Sequence, residues 1–208
     1  MSVRAEVGKY IAVDCEMVGV GPQPDKESAL ARVSIVNWNG DLVYDSFVRP
    51  KEKVTDWRTP VSGITPNDMI SARSLEEVQN DVSNILDGKI LIGHALRNDL
   101  EALMLSHPQR DLRDTAKYPP YKKIAGGHQP RLKILAAEFL GLKIQEGSHS
   151  SLEDARATML LFRRDKEGFE REHTKRWPPV RVFTVKDSQE EGSDKKMLKK
   201  RKKKSRKR

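Results

Sequence analysis

The first apolar run of the chain leads into two acidic residues, and this pair restricts the fold more than any other feature. Ile11 and Val13 mark the interior of a buried strand, and Asp14 and Glu16 follow on the same run. Side chains two residues apart on a strand project from one face, so the two carboxylates are predicted to lie side by side. In a buried strand such a pair requires a cation between the carboxylates; the alternative is a strand end whose acids reach water.

An antiparallel meander is predicted for the start of the chain. Two β-rich runs, 31–37 and 41–48, are joined at Asn39-Gly40, and this dipeptide between such runs is a strong hairpin signal. Together with the first strand they give three neighbouring strands. Residues 49–73 contain several prolines and are predicted to be irregular, with short helical turns.

Helices and strands alternate in the rest of the chain. Ser74 and Glu77 form a capping box, and the helix that begins there is predicted to end at Gly88. A strand is predicted at 89–92, further helices near 98–105, 132–139 and from about 150 to 162, and no regular element at 117–130. This order predicts an α/β fold with a mixed β-sheet flanked by helices.

The positive charge of the chain is concentrated near its C-terminal end. Lys and Arg number 39 against 30 Asp and Glu, a formal net charge of +9, but residues 195–208 hold eleven of the cations and no acid. The rest is mildly acidic. We therefore predict a folded domain at 8–177 and a disordered basic tail at 178–208. Cation clusters of this density bind phosphate backbones or act as nuclear or nucleolar addresses.

The cysteine content and the hydropathy of the sequence limit the cellular compartments in which the protein is expected. Cys15 is the only cysteine, which excludes a disulfide framework and a Cys-based zinc site and suits a reducing intracellular compartment. The sequence contains no run of 18 apolar residues and no signal-peptide pattern near Met1, so we expect no membrane partner.

Two further acids lie at predicted helix starts. Asp99 follows the strand that contains LIGH, and Asp154 lies in the first turn of the last helix. Either one alone would be an ordinary helix-start carboxylate, favoured by the helix dipole. With Asp14 and Glu16 they form a set of four carboxylates, and carboxylate oxygens are the ligands that Mg²⁺ and Mn²⁺ prefer.

Two histidines each precede one of these aspartates by five residues. His149 lies on the lead into the last helix, before Asp154, and His94 lies before Asp99. A histidine in such a place can act as a general base toward water. The spacing alone does not choose between the two.

Four sequence blocks together resemble a known enzyme family. They are VDCEMVG at 13–19, GHALRNDL at 93–100, RDTAKYPP at 113–120 and SHSSLEDARATM at 148–159. The blocks are similar to those of DEDDh 3′→5′ exonucleases, in particular the RNA exonuclease 4 branch near the interferon-stimulated 20 kDa exonuclease, over residues 10–164. The resemblance implies an RNase H-like fold, His149 as the general base, and four metal-binding acids, namely Asp14, Glu16, Asp99 and Asp154.

The resemblance also implies a function. It predicts hydrolysis from the single-stranded 3′ end of RNA by a two-metal mechanism with Mg²⁺ or Mn²⁺, releasing nucleoside 5′-monophosphates. With the basic tail, it further predicts a monomer of the nucleus and nucleolus that acts in rRNA processing or ribosome biogenesis, with pre-ribosomal particles as partners. The alternatives are a DNA exonuclease of the same fold and a catalytically silent RNA-binding assembly factor.

Three substrate contacts are candidates. Met17 could offer an apolar surface to a terminal base or simply fill the core. Arg58 resembles a residue of the family beside the 3′ nucleotide, or is an exposed loop arginine with no role. His94 is expected to line the site. Ala95 departs from the family, because many DEDDh enzymes carry Asn there.

Overall fold

A computed structural model describes residues 6–178 of the chain, and these form a mixed seven-stranded sheet with helices packed on it. The strands are β1 (Tyr10–Val20), β2 (Ser28–Asn37), β3 (Leu42–Arg49), β4 (Val54–Asp56), β5 (Arg73–Ser74), β6 (Ile90–Gly93) and β7 (Leu112–Asp114). The helices are α1 (Thr59–Ser62), α2 (Leu75–Leu86), α3 (Arg97–Ala102), α4 (Pro119–Ile124), α5 (Leu132–Leu135), α6 (Ser151–Arg164) and α7 (Lys166–Arg176).

The strand order explains where the site can form. The sheet runs β5-β3-β2-β1-β6-β7, with β4 paired to the end of β1. The β1–β2 and β2–β3 pairs are antiparallel, whereas β1–β6 and β6–β7 are parallel. This arrangement confirms the predicted meander and mixed α/β sheet. β6 runs parallel to the first part of β1 and ends beside its middle, so the residues that follow Gly93 lie near Asp14.

The core is divided by the sheet into two layers. Alternate residues of β1 face opposite layers: Ala12 packs toward Phe162 of α6, and Val13 packs toward Val82 of α2. Helices on both faces bury the central strands, so β1 has few side chains that reach water. The face of β1 that carries Ala12 also carries Asp14, which places this acid beneath α6.

Local signals account for the confirmed elements. Gly40 takes a positive φ of 86° and donates its N–H to the carbonyl of Asn37 at 3.0 Å, which closes the predicted turn. Ser74 accepts a hydrogen bond from the N–H of Glu77 at 3.3 Å, and the Glu77 carboxylate accepts one from the Ser74 N–H at 3.0 Å. The capping box therefore begins α2 as predicted.

The prediction that residues 117–130 contain no regular element was wrong. The segment contains α4, which begins at Pro119. A proline is tolerated in the first turn of a helix, since the N–H that it lacks has no intrahelical partner there. Tyr121 is fully buried, and its hydroxyl donates to Asp165 Oδ2 at 2.7 Å. This anchor holds the short helix against the core.

The chain divides near its C-terminal end. Residues Met1–Glu172 belong to one compact unit and His173–Arg208 to a second, of which only residues 173–178 are described. Of the tail predicted at 178–208, all but Pro178 lies outside the described residues, so the tail stays a prediction. Within residues 6–178, no helix is both long and apolar enough to cross a membrane.

Candidate active site

Three acids meet beside the C-terminal end of β6, beneath the start of α6. Asp14, Glu16 and Asp154 each place a ligand atom within 4.8 Å of those of the other two. The first two lie on one face of β1, as strand alternation requires, and the third lies in the first turn of α6. Glu16 and Asp154 are nearly inaccessible to solvent, with exposed fractions of 6% and 3%.

Asp99 reaches the same region from α3. Its side chain is buried beside Cys15, the residue between Asp14 and Glu16, whose thiol and backbone N–H favour the ionised form of Asp99. The charge of Asp99 is also the largest neighbouring contribution that raises the pKa of Asp14. The described structure therefore brings together all four acids of the sequence prediction, with Asp99 beside the group of three rather than in it.

Burial shapes the electrostatics of the four acids. It raises the pKa of Glu16 to about 8 and the pKa of Asp99 to about 7. It also raises the pKa of Asp154 above its ordinary value, and, with the charges of the neighbouring acids, holds the pKa of Asp14 well above its own. Ionised carboxylates this close repel one another and have lost hydration, so a bound cation would relieve both costs.

Two oxygens in the cluster show that a cation fits. Glu16 Oε1 and Asp154 Oδ1 are buried and accept no hydrogen bond from the described residues. A buried acceptor without a donor costs free energy, and a hard divalent cation coordinated by carboxylates removes that cost. The donor set is all oxygen, which suits Mg²⁺ or Mn²⁺ better than softer metals.

His149 lies beside Asp154. Its Nδ1 atom is 4.0 Å from Asp154 Oδ2, and its side chain is about a third exposed. The backbone N–H of His149 donates to the carbonyl of Val61 at 2.6 Å. A Cβ atom at Gly63, which has a φ of 69°, would lie 3.1 Å from the His149 carbonyl oxygen. The α1 segment thus holds this histidine next to the acids while solvent still reaches its ring.

His94 is in a different environment. Its Nδ1 atom lies 2.9 Å from Oγ1 of Thr115, and its Nε2 atom lies 3.0 Å from the carbonyl oxygen of Pro130. Burial lowers its pKa, which favours the neutral ring. Because both nitrogens have protein partners, the ring connects the end of β6 to its neighbouring segments. This geometry favours His149 over His94 as a base.

The other two substrate-contact candidates have protein partners as well. The guanidinium of Arg58 donates to Ser28 Oγ at 3.0 Å and to the carbonyl of Pro24, so it holds the connection between β1 and β2. Arg58 itself has a φ of 48°. Met17 is partly buried and packs against the core on the α2 side of the sheet. No contact made by either side chain singles it out for substrate binding.

Sequence reasoning missed Gln145. Its side-chain amide donates to Asp154 Oδ2 at 2.6 Å, and its own backbone takes a left-handed φ of 56°. This hydrogen bond orients one of the candidate ligands. Gln145 lies in a loop nine residues before Asp154, and no periodicity or motif in the sequence marks it.

A polar row on β2 and β3 was missed too. Arg32 lies opposite Glu16 in the β1–β2 register and forms two hydrogen bonds to the carboxylate of Asp45, at 2.9 and 2.8 Å. Ser34 lies opposite Asp14 and forms a 2.7 Å hydrogen bond with the hydroxyl of Ser151. The positive charge of Arg32 lowers the pKa of Glu16, but burial outweighs it.

Comparison with known proteins places this geometry in a family. The model of the exonuclease family matches residues 11–162, which include every acid of the cluster and His149. The chain belongs to the exonuclease family. A protein of Aspergillus fumigatus named RNA exonuclease 4 is 71% identical over 191 residues, covering 92% of this chain and 61% of the relative. A Saccharomyces cerevisiae protein of the same name is 59% identical, covering 81% of this chain and 58% of the relative.

These relatives confirm the resemblance to the RNA exonuclease 4 branch that the sequence blocks indicated. The chain spans about three fifths of the length of the curated relatives it matches. Among solved structures, the Saccharomyces cerevisiae Pan2 module in complex with AAGGA RNA is similar with a TM-score of 0.69 and 28% identity, covering 85% of this chain and 33% of that one. The Neurospora crassa Pan2 catalytic unit, at 24% identity and a TM-score of 0.68, covers 86% of this chain and 31% of that one and shares the fold. The RNase H-like fold is thereby confirmed.

Proposed function

We propose that this chain is a metal-dependent 3′→5′ exoribonuclease. One observation carries the proposal: three acids, two of them buried, place ligand atoms within 4.8 Å of one another, and Nδ1 of the partly exposed His149 lies 4.0 Å from Oδ2 of Asp154. The names of the relatives and the solved Pan2 exonuclease with RNA bound support RNA as the substrate class.

The four acids would hold the metal. Asp14, Glu16 and Asp154 form the close group, and Asp99 completes the negative environment from α3. Two Mg²⁺ or Mn²⁺ ions, when bound, supply Lewis acidity that lowers the pKa of water and stabilises charge on a leaving oxygen. The buried oxygens without hydrogen bonds are the atoms available for this coordination.

His149 would move the proton. Its partly exposed ring accepts a proton from the attacking water, and the nearby Asp154 carboxylate stabilises the positive charge that the imidazole then gains. Gln145 keeps Asp154 in place through its 2.6 Å hydrogen bond. Hydrolysis at the last phosphodiester bond gives a nucleoside 5′-monophosphate and a strand that is one nucleotide shorter.

The substrate-contact candidates Met17, Arg58 and His94 concern how the protein would recognise a 3′ end and distinguish RNA from DNA. A protein distinguishes RNA from DNA chiefly at the 2′-hydroxyl. Arg58 and Met17 stay candidates for contacts to the terminal nucleotide, Arg58 through the loop that it holds and Met17 through its partly exposed side chain. His94 acts indirectly, because its two ring nitrogens already have partners.

The basic run at 195–208 supports a proposal for the cellular role. We propose that the chain consists of the exonuclease domain at 8–177 and a basic tail that directs it to the nucleus and nucleolus. There it would process rRNA on pre-ribosomal particles as a monomer. A fluorescent fusion with and without residues 178–208, together with sedimentation of the purified protein, tests the location and the oligomeric state.

Cleavage assays test the activity. The purified chain is incubated with 5′-labelled RNA and DNA of the same sequence, with Mg²⁺ or with EDTA. The proposal predicts a ladder of products shortened one nucleotide at a time from the 3′ end of RNA, and no products in EDTA. Faster degradation of DNA would favour the DNA exonuclease. Binding of RNA without any cleavage would favour the silent assembly factor.

A further inference from the structure

Residues 117–133, here called the basic segment, carry an unusual charge for this domain. The segment contains five cations and no acid, namely Lys117, Lys122, Lys123, Arg131 and Lys133. In the rest of the described chain, acids outnumber Lys and Arg. A local excess of this size marks a surface suited to a negatively charged partner.

One end of the basic segment is fixed to the candidate active site. The carbonyl oxygen of Pro130 is 3.0 Å from Nε2 of His94. Lys133 Nζ donates to the carbonyl of Gln145 at 2.8 Å, and the Gln145 amide donates to Asp154. Lys133 is thus separated from a candidate metal ligand by a single residue.

The other end of the basic segment is fixed beside the C-terminal ends of β6 and β7. Lys117 Nζ is 3.3 Å from Oδ2 of Asp114, and Oδ1 of Asp114 accepts the N–H of Ala95 at 2.9 Å. Ala95 follows His94 at the end of β6 and has a left-handed φ of 61°. The basic segment therefore begins and ends beside the residues that lead into α3 and Asp99.

The cations are available to a partner while the backbone beneath them is held in place. Lys123 and Arg131 are exposed and Lys122 is partly exposed, and none of the three forms an ion pair with the described residues. Tyr121 and Leu132 of the same segment are buried in the core. Anchored cations lose less conformational freedom on binding than cations on a mobile loop.

We propose that the basic segment binds the phosphates of the RNA strand on the 5′ side of the nucleotide being removed. The inference rests on the proposed function and adds to it the path of the strand. A cluster of four acids repels a polyanion unless cations lie nearby, and the basic segment, which is linked to Asp154 through Lys133 and Gln145, supplies them. Single-stranded RNA, whose backbone phosphates are accessible, is the partner that fits.

Salt dependence of binding tests the proposal. The test variant is the triple substitution Lys122→Ala, Lys123→Ala and Arg131→Ala. The matched control is the triple substitution Lys9→Ala, Lys89→Ala and Lys166→Ala. Lys9 and Lys89 immediately precede β1 and β6, at the end of these strands opposite the acids. Lys166 lies near Tyr10 of β1. Both are made in the full chain with Asp14→Asn, which prevents cleavage.

Binding of a 12-nucleotide RNA is then measured by fluorescence anisotropy at several salt concentrations. Each phosphate contact to a single strand contributes about 0.7 to the slope of log K against log salt, so the test variant should lose about 2 from that slope. The control should keep the slope of its parent. Lys122→Arg with Lys123→Arg, which keeps both charges, should keep it too. Equal slopes for the test and control variants would overturn the proposal.

A second substrate separates this proposal from the proposed function. The p-nitrophenyl ester of uridine 5′-monophosphate has no phosphate upstream of the bond that breaks. With Asp14 intact, the test variant should cleave this ester at the unsubstituted rate, and a large loss would show that the segment serves the chemistry instead of the strand. If the unsubstituted chain cleaves neither RNA nor the ester, the proposed function itself fails. If it cleaves RNA and the test variant binds RNA normally but no longer binds an acidic peptide, the partner of the segment is a protein and the proposal is overturned.

Discussion

Replacing Glu16 with Gln should stabilise the metal-free protein at alkaline pH. Glu16 is 6% exposed, and burial raises its pKa from 4.5 to about 8, with the charge of Asp154 as the next contribution. An acid whose pKa is higher in the folded state than in the unfolded state binds its proton more tightly when folded. Stability therefore falls as the pH rises from about 4.5 to about 8, and no further above that.

The magnitude follows from the size of the shift. A change of one pKa unit corresponds to about 1.4 kcal/mol of folding free energy. The ionisation of Glu16 therefore destabilises the folded chain by at most about 5 kcal/mol between pH 4.5 and pH 8. The charges of Asp154 and Asp99 contribute part of this rise in pKa. We expect the ionisation of Glu16 to lower the free energy of unfolding by about 2 to 5 kcal/mol at pH 8.5. Glu16→Gln removes this charge, so the variant should be more stable than the unsubstituted chain by that amount in EDTA, and similar to it near pH 5.

Urea unfolding at pH 5, 7 and 8.5 in EDTA measures the difference. Glu138→Gln, at an exposed position of the turn after α5, is the matched control and should change stability by less than about 0.5 kcal/mol at each pH. Mg²⁺ should stabilise the unsubstituted chain at pH 8.5 more than it stabilises Glu16→Gln. A Glu16→Gln variant that is less stable than its parent at pH 8.5, or that shows the same loss between pH 5 and 8.5, would refute the reasoning.

Three further predictions concern the site and the tail. His149→Ala should lower single-turnover cleavage of RNA by about 10²- to 10⁴-fold with little change in metal affinity, whereas His94→Ala should instead lower the melting temperature; the reverse pattern would exclude His149 as the base. Gln145→Ala should weaken metal affinity by about 10- to 100-fold in a calorimetric titration, because Asp154 loses its orienting donor; an unchanged affinity would show that the bond is dispensable. Deleting residues 187–208 should flatten the salt dependence of binding to long RNA but spare turnover of a saturating short oligonucleotide, and a truncated protein inactive on the short one would show that the tail belongs to the site.

Strong local signals made part of the fold predictable. The turn at Asn39-Gly40 and the cap at Ser74 are each fixed by two or three neighbouring residues, so sequence alone was sufficient for them. The spacing of Asp14 and Glu16 on an apolar strand was sufficient to place both carboxylates on one face, because strand alternation requires no tertiary information.

Elements and contacts set by tertiary packing were not predictable. β7 has only three residues, too few to show a period, and is formed by pairing with β6. α4 contains two prolines in its first turn and is held by the buried Tyr121 hydroxyl rather than by local propensity. Gln145 reaches Asp154 because the loop before α6 brings its amide to the first turn of that helix, and no local pattern encodes this contact.

The structure shows how the fold accommodates Ala95, the residue at which the sequence departs from many members of the family. The position adopts a φ of 61°, which Asn tolerates better than Ala. The N–H of Ala95 is held by the carboxylate of Asp114 at 2.9 Å, which fixes the conformation without an asparagine side chain. The sequence showed the substitution, and only the structure shows the contact that accommodates it.

The central claim is that four acids and His149 form a metal-dependent site that removes nucleotides from the 3′ end of RNA. The most direct measurement follows a 5′-labelled RNA in Mg²⁺ with the unsubstituted chain and with Asp14→Asn, whose fold is checked by circular dichroism. The account predicts a one-nucleotide ladder that shortens from the 3′ end, and a folded Asp14→Asn protein that yields no products. A folded Asp14→Asn protein that produces the ladder at the unsubstituted rate would contradict it.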